Sequence, residues 1–149
     1  MMKMSKQTMD THRFYLRVYY EDTDAVGIVY YANYLRYAER ARTELMRELG
    51  VKGSNLFAHS ELALVVRRCK IDYVSPAFLD DSLIVETQLQ RIGGASIDII
   101  QTIKRCSELL VNINITLGCM SLKGRAARLP TLVREALILY LNPKQSQKN

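Results

Sequence analysis

Tryptophan is absent from this 149-residue chain, histidine occurs twice, and cysteine and proline occur three times each. With only His12 and His59 to draw on, a histidine-built metal site or a Ser-His-Asp triad has almost no material, and no His-Glu-x-x-His run exists. Cys69, Cys106 and Cys119 are odd in number, far apart and without a Cys-x-x-Cys pair. That excludes a disulfide framework and a structural zinc site, and leaves the three thiols as expected small buried hydrophobes. No metal and no cofactor is expected. No apolar run approaches the ~18 residues of a membrane span, so none is expected. The N-terminal MMKMSKQTMDTH lacks the apolar stretch of a secretion signal, and the expected location is the cytoplasm. Phosphate-cradling glycine motifs are also missing, and Gly94-Ala95-Ser96-Ile97-Asp98 lacks the second glycine of a nucleophile elbow. An acidic excess is missing too: 21 Lys and Arg against 15 Asp and Glu give a net charge of +6. This mild basic balance suits a phosphate-bearing ligand and falls short of a nucleic-acid footprint.

What is present is the material of one core. Apolar residues make up 48% of the chain, and Pro76, Pro130 and Pro143 mark no linker. One domain over residues 12–141 is expected, with polar flexible tails at 1–11 and 142–149. RFYLRVYYED, rich in aromatic and branched residues, predicts a strand running into the turn at Thr23 and Asp24. Beyond Gly27, Tyr34, Ala38, Ala41, Leu45 and Leu49 recur every three or four residues, which predicts a helix of about 16 residues with Asn33 as N-cap and Gly50 just past its end. LALVVRRCKIDYV, SLIVETQLQRI, ASIDIIQTIKR and LLVNINITLGCMSL alternate as strands, the middle pair joined at Gly93-Gly94. They are expected to form a meander. A short last helix follows Pro130, with Leu132, Ala136, Leu139 and Tyr140 on its apolar side. The order is α+β, an antiparallel sheet with one long helix to cover it.

The stretch from Glu21 to Tyr34 carries the chemistry. Glu21, Asp22 and Asp24 crowd the end of a strand, and like charges so placed favour a carboxylate able to act as base or nucleophile. AVGIVYYAN then delivers the chain to the helix start, whose unpaired N–H groups suit an oxygen gaining negative charge. Together these compose an acyl-transfer site, with Gly27 permitting close backbone approach. On the residues alone, an acidic turn before a helix is more often a solvated loop and cap than a reacting site. Lys123, Arg125 and Arg128 compose a solvated basic run or a contact for nucleotide phosphate.

The run RVYYEDTDAVGIVYYANYLRYAERARTEL resembles the active-site signature of the hotdog-fold acyl-CoA thioesterases of the 4-hydroxybenzoyl-CoA thioesterase superfamily, in particular the YbgC-type branch associated with the Tol-Pal system. LVVRRCKIDYVSPAFLDDSLIVET is similar to the family's next block, and the likeness spans roughly residues 12–128. The resemblance implies the hotdog fold, a curved antiparallel sheet wrapped around one long central helix. It implies Asp24 as the catalytic carboxylate and Tyr31 as the residue whose backbone N–H polarises the thioester carbonyl. Gly27 and Tyr34 take the loop and helix-start positions of the substrate site. Val65, Val66 and Arg67 would line the cleft from a partner subunit, and Ser96 would lie near the pantetheine arm. An acyl-CoA substrate, with acyl carrier protein as the other thioester carrier, and a homo-oligomer, dimer or dimer of dimers, complete the expectation. Tyr31 stands where many YbgC-type members carry His, and Val26 replaces a smaller residue. The competing reading is a non-catalytic adaptor that binds acyl-CoA or acyl carrier protein in envelope maintenance.

Overall fold

The computed structural model describes residues 11–51, 61–138 and 141. Among these residues five strands and two α-helices follow in order: β1 (His12–Arg17), α1 (Asn33–Glu48), β2 (Leu62–Tyr73), β3 (Ser82–Ile92), β4 (Ser96–Arg105), β5 (Glu108–Ser121) and α2 (Thr131–Ile138). All pairings within the sheet are antiparallel, in the order β1-β3-β4-β5-β2. Only β3, β4 and β5 form a meander. β2, the next strand after α1, lies on the far side of β5, against the expectation of four consecutive strands, and is an edge of the sheet.

Alternation along the strands builds the core. Leu83, Val85 and Leu89 of β3, Ile97, Ile99 and Ile103 of β4, and Val111, Ile113 and Ile115 of β5 all turn to the helix side and are at most 3% exposed. The apolar face of α1 (Tyr34, Tyr37, Ala38, Ala41 and Leu45) meets them over β1 and β3. Ala38 and Ala41 have no bulk to hold the helix off the sheet. Gln101 in β4 therefore reaches the Ala38 carbonyl, donating through Nε2 at 3.0 Å. The same Nε2 lies 3.0 Å from Thr87 Oγ1, and Gln101 Oε1 accepts Arg42 Nη1 at 2.9 Å. This buried polar knot satisfies Gln101 fully, as burial requires.

Several boundaries differ from the sequence reading. The first strand stops at Arg17, because Tyr20–Asp22 wind into a single 3-10 turn. Asn33 does not cap α1; Ala32 holds that position, and the Asn33 side chain is turned elsewhere. Gly50 follows the helix at φ +79°, the left-handed conformation that suits glycine. On α2 the buried residues are Val133 and Leu137, while Leu132 is exposed; Leu139 and Tyr140 lie outside the described residues. Only Cys119 is buried, and Cys69 and Cys106 are exposed, since they fall on an edge strand and in a turn. Among the described residues no helix is long and apolar enough to cross a membrane.

Candidate active site

The acidic turn and the start of α1 form one hydrogen-bonded unit. Asp24 N–H donates to the Ile28 carbonyl at 2.9 Å and Gly27 N–H to the Asp24 carbonyl at 3.0 Å, closing a tight loop. Gly27 sits at φ +92°, a conformation in which a side chain would be strained. Asp24 Oδ1 accepts Val26 N–H at 2.9 Å, an Asx-type turn that fixes the carboxylate, while its other oxygen has no hydrogen-bond partner among the described residues. The three acidic side chains thus separate. Asp22 turns inward and is 6% exposed, Glu21 is exposed, and Asp24 remains half-buried at the turn.

Beyond the loop, Thr23 and Ile28 form isolated bridges to Val29 and Phe78, and Val29 N–H donates to the Ala77 carbonyl at 2.9 Å. Ala77 N–H donates in turn to the Tyr34 hydroxyl at 3.0 Å. Tyr34 is 3% exposed, so its role is to tie the helix start to the Pro76–Asp81 turn. Burial raises its hydroxyl pKa, and the bond from Ala77 acts against that. Arg105 anchors the same turn through Asp81 at 2.6 Å and the Pro76 carbonyl at 3.3 Å, with its guanidinium over the Phe78 ring.

At the helix start, Tyr30 N–H donates to the Asp22 carbonyl at 2.9 Å and Asn33 N–H to the Tyr30 carbonyl at 2.8 Å. The amide of Tyr31, between them, has no protein acceptor among the described residues. Its carbonyl accepts the Tyr73 hydroxyl at 3.0 Å, and its ring stands edge-on to Tyr73 with centroids 6.2 Å apart. Desolvation by burial raises the Tyr73 pKa, which keeps that hydroxyl a donor. Asp24, Gly27, Tyr31 and Tyr34 are therefore brought together.

Val65, Val66, Arg67 and Ser96 are not. Val65 and Ser96 both lie opposite Gly118, on either side of β5. A bulge between Val66 and Arg68 leaves Arg67 as the extra residue, and its side chain lies across Gly118. The six residue steps from Arg67 to Tyr73 span about 20 Å of strand, so this cluster stands far from the chain's own Tyr31. The sequence reading missed both the bulge and the glycine that makes room for Arg67. Arg128 packs over Gly94 and the Arg134 guanidinium donates to the Gly93 carbonyl, adding positive charge beside Ser96. No three His, Cys, Asp or Glu side chains gather as metal ligands among the described residues. A groove of about 290 Å³ between Arg13, Glu86 and Lys104 opens on the outer face of the sheet, away from these groups.

An antiparallel sheet laid along one long helix, with an acidic loop feeding the helix start, defines the hotdog class. The Thioesterase-like superfamily model matches residues 18–137, and the chain belongs to that family. It is 42% identical over 124 residues to the acyl-CoA thioesterase YbgC of Haemophilus influenzae, covering 83% of this chain and 91% of that one. Among solved structures, a probable thioesterase from Bartonella henselae superposes with TM-score 0.78 at 35% identity, over 80% of this chain and 99% of that one. A mutant 4-hydroxybenzoyl CoA thioesterase complexed with 4-hydroxybenzoyl CoA shares the fold, with TM-score 0.79 at 20% identity over 85% of this chain and 98% of that one.

Proposed function

We propose that the protein hydrolyses acyl-CoA thioesters to free acid and CoA, with Asp24 as the reacting carboxylate and the Tyr31 backbone N–H as oxyanion donor. The observation that carries this reading is the pairing of a fixed carboxylate with an uncommitted amide at the two ends of one loop. A thioester carbonyl has weak resonance and a good leaving group, so one carboxylate and preorganised N–H donors suffice. The free oxygen of Asp24 either attacks the carbonyl carbon or takes a proton from the attacking water. In both courses the carbonyl oxygen gains charge beside Tyr31 N–H, and collapse expels the CoA thiolate. In the first course water then hydrolyses the acyl-Asp24 anhydride.

The active form in this reading is a dimer or dimer of dimers. β2 is a 12-residue edge with no strand on its outer side among the described residues, an edge to which a second copy can be added. Antiparallel pairing of two β2 strands carries the Val65–Arg67 segment of one chain towards Asp24 and Tyr31 of the other. A cytoplasmic location belongs to the same reading, and a link to the Tol-Pal system follows from the family resemblance alone. Thiol release from short-chain, long-chain and aromatic acyl-CoAs, and from acyl carrier protein thioesters, tests the reading. Asp24→Asn is expected to lower turnover about a hundredfold or more with binding retained, and Tyr31→Phe to stay within about threefold. Full turnover in Asp24→Asn overturns the assignment, and a wild type that binds the panel without releasing thiol is an adaptor.

A further inference from the structure

The two aspartates of the Asp-Thr-Asp run do different work, and the buried one faces the helix. Asp22 Oδ2 accepts Tyr19 N–H at 2.8 Å. Its other oxygen accepts the Asn33 side-chain Nδ2 at 3.1 Å, and the Asp22 carbonyl lies 3.2 Å from the same nitrogen. Asn33 is 8% exposed. A buried amide and a buried carboxylate each cost free energy unless paired, and here they are paired across eleven residues. The acidic turn is thereby fastened to the first residue of α1.

The Tyr30–Tyr31 peptide lies inside this fastening. Tyr30 N–H is held by the Asp22 carbonyl, and the Tyr30 carbonyl accepts Asn33 N–H. That carbonyl belongs to the same amide as the Tyr31 N–H. A hydrogen bond accepted at one end of an amide polarises the donor at the other, strengthening its bonds by roughly 10–30%. Fixing both ends also aims the N–H without reorganisation during reaction.

We propose that Asn33 and Asp22 are positioning residues, a clamp that aims and polarises the Tyr31 amide at the thioester oxygen. The proposal rests on Tyr31 as oxyanion donor. The test uses the full chain carrying Asp24→Asn, bound to an acyl-CoA labelled with ¹³C at the thioester carbonyl. Isotope-edited infrared spectroscopy reads the carbonyl stretch, which falls in frequency as the hydrogen bond to it strengthens. With Asn33→Ala added, the shift on binding is expected to fall to about half or less, with Kd held within about threefold. In the chain with Asp24 intact, Asn33→Ala is expected to lower kcat about tenfold or more while KM changes little. Asn33→Ser keeps a donor on a shorter arm and is expected to give an intermediate shift, and it carries the test if the alanine variant does not fold. A shift that is present and unmoved by either variant overturns the clamp. Absence of any shift in Asp24→Asn itself overturns the oxyanion reading instead.

Discussion

Gln101→Met tests whether the polar knot under α1 is a matched set. Gln101 is fully buried, and methionine has nearly its volume, so packing changes little. Three hydrogen bonds are lost, to Ala38, Thr87 and Arg42, each worth about 1 kcal/mol net. The larger effect is on Arg42. Burial already holds its guanidinium below the ordinary arginine value, with Glu39 acting in the opposite sense, and no carboxylate lies within ion-pair distance among the described residues. Without Gln101 a half-buried cation has lost its acceptor, and the total cost is about 3–5 kcal/mol. Removing the cation as well, in Arg42→Met with Gln101→Met, relieves most of that, and the pair together costs about 1–2 kcal/mol. Guanidinium unfolding of the four chains, at one protein concentration because association adds to stability, gives the cycle. The single Gln101 variant melts about 6–20 °C below the wild type. A double variant as unstable as the sum of the two singles refutes the reasoning, because the two side chains would then be acting independently.

Further expectations follow from individual contacts. Tyr73→Phe removes the 3.0 Å bond to the Tyr31 carbonyl while keeping the ring, and should cost about 1 kcal/mol or less of stability with a severalfold loss of kcat; unchanged steady-state kinetics would remove Tyr73 from the site. The Lys104 hydrogen bond, helped by Arg13, holds the Glu86 carboxyl below its ordinary value of 4.5. Its stabilising contribution is therefore complete above about pH 4.5 and is lost as pH falls through the lower folded value. Acid unfolding of Glu86→Gln should lack that component, and identical acid curves would exclude it. Gly118→Ala places a Cβ 3.2 Å from Arg67 Cδ and pushes the side chain aside. KM for acyl-CoA should rise severalfold with stability within about 0.5 kcal/mol, and a KM that rises in Arg67→Ala and not in Gly118→Ala would show that Arg67 keeps its place.

The parts of the fold visible in the sequence are those with a single periodicity. Helix α1 was legible because Tyr34, Ala38, Ala41 and Leu45 leave one face apolar, and the β3–β4 hairpin because Gly93-Gly94 interrupts two alternating runs. Strand order was not legible. It depends on which neighbour each strand pairs with, and alternation is the same wherever a strand lands. The faces of α2 were misjudged because Val133 and Leu132 are equally apolar, and only contact with β3 decides which turns inward. In the site, charge, glycine and helix start mark the loop from Asp24 to Tyr31, but the same features mark a solvated cap, and the family resemblance is what separates the two readings. The division between Asp22 and Asp24 could not, since it is made by Asn33 eleven residues on. Arg67 stood out as a charge, but its direction is set by a bulge that no local pattern announces.

The edge position of β2 has a genetic consequence. If each catalytic centre is assembled from the loop of one chain and the Val65–Arg67 segment of another, damage to the two parts is separable. A chain with Asp24→Asn and a chain with Arg67→Ala, each impaired alone, would complement when co-assembled. A mixed pair holds one centre with both parts intact and one with both lost. Random pairing would then restore about a quarter of all centres to full function, so that two defective alleles expressed together outperform either one.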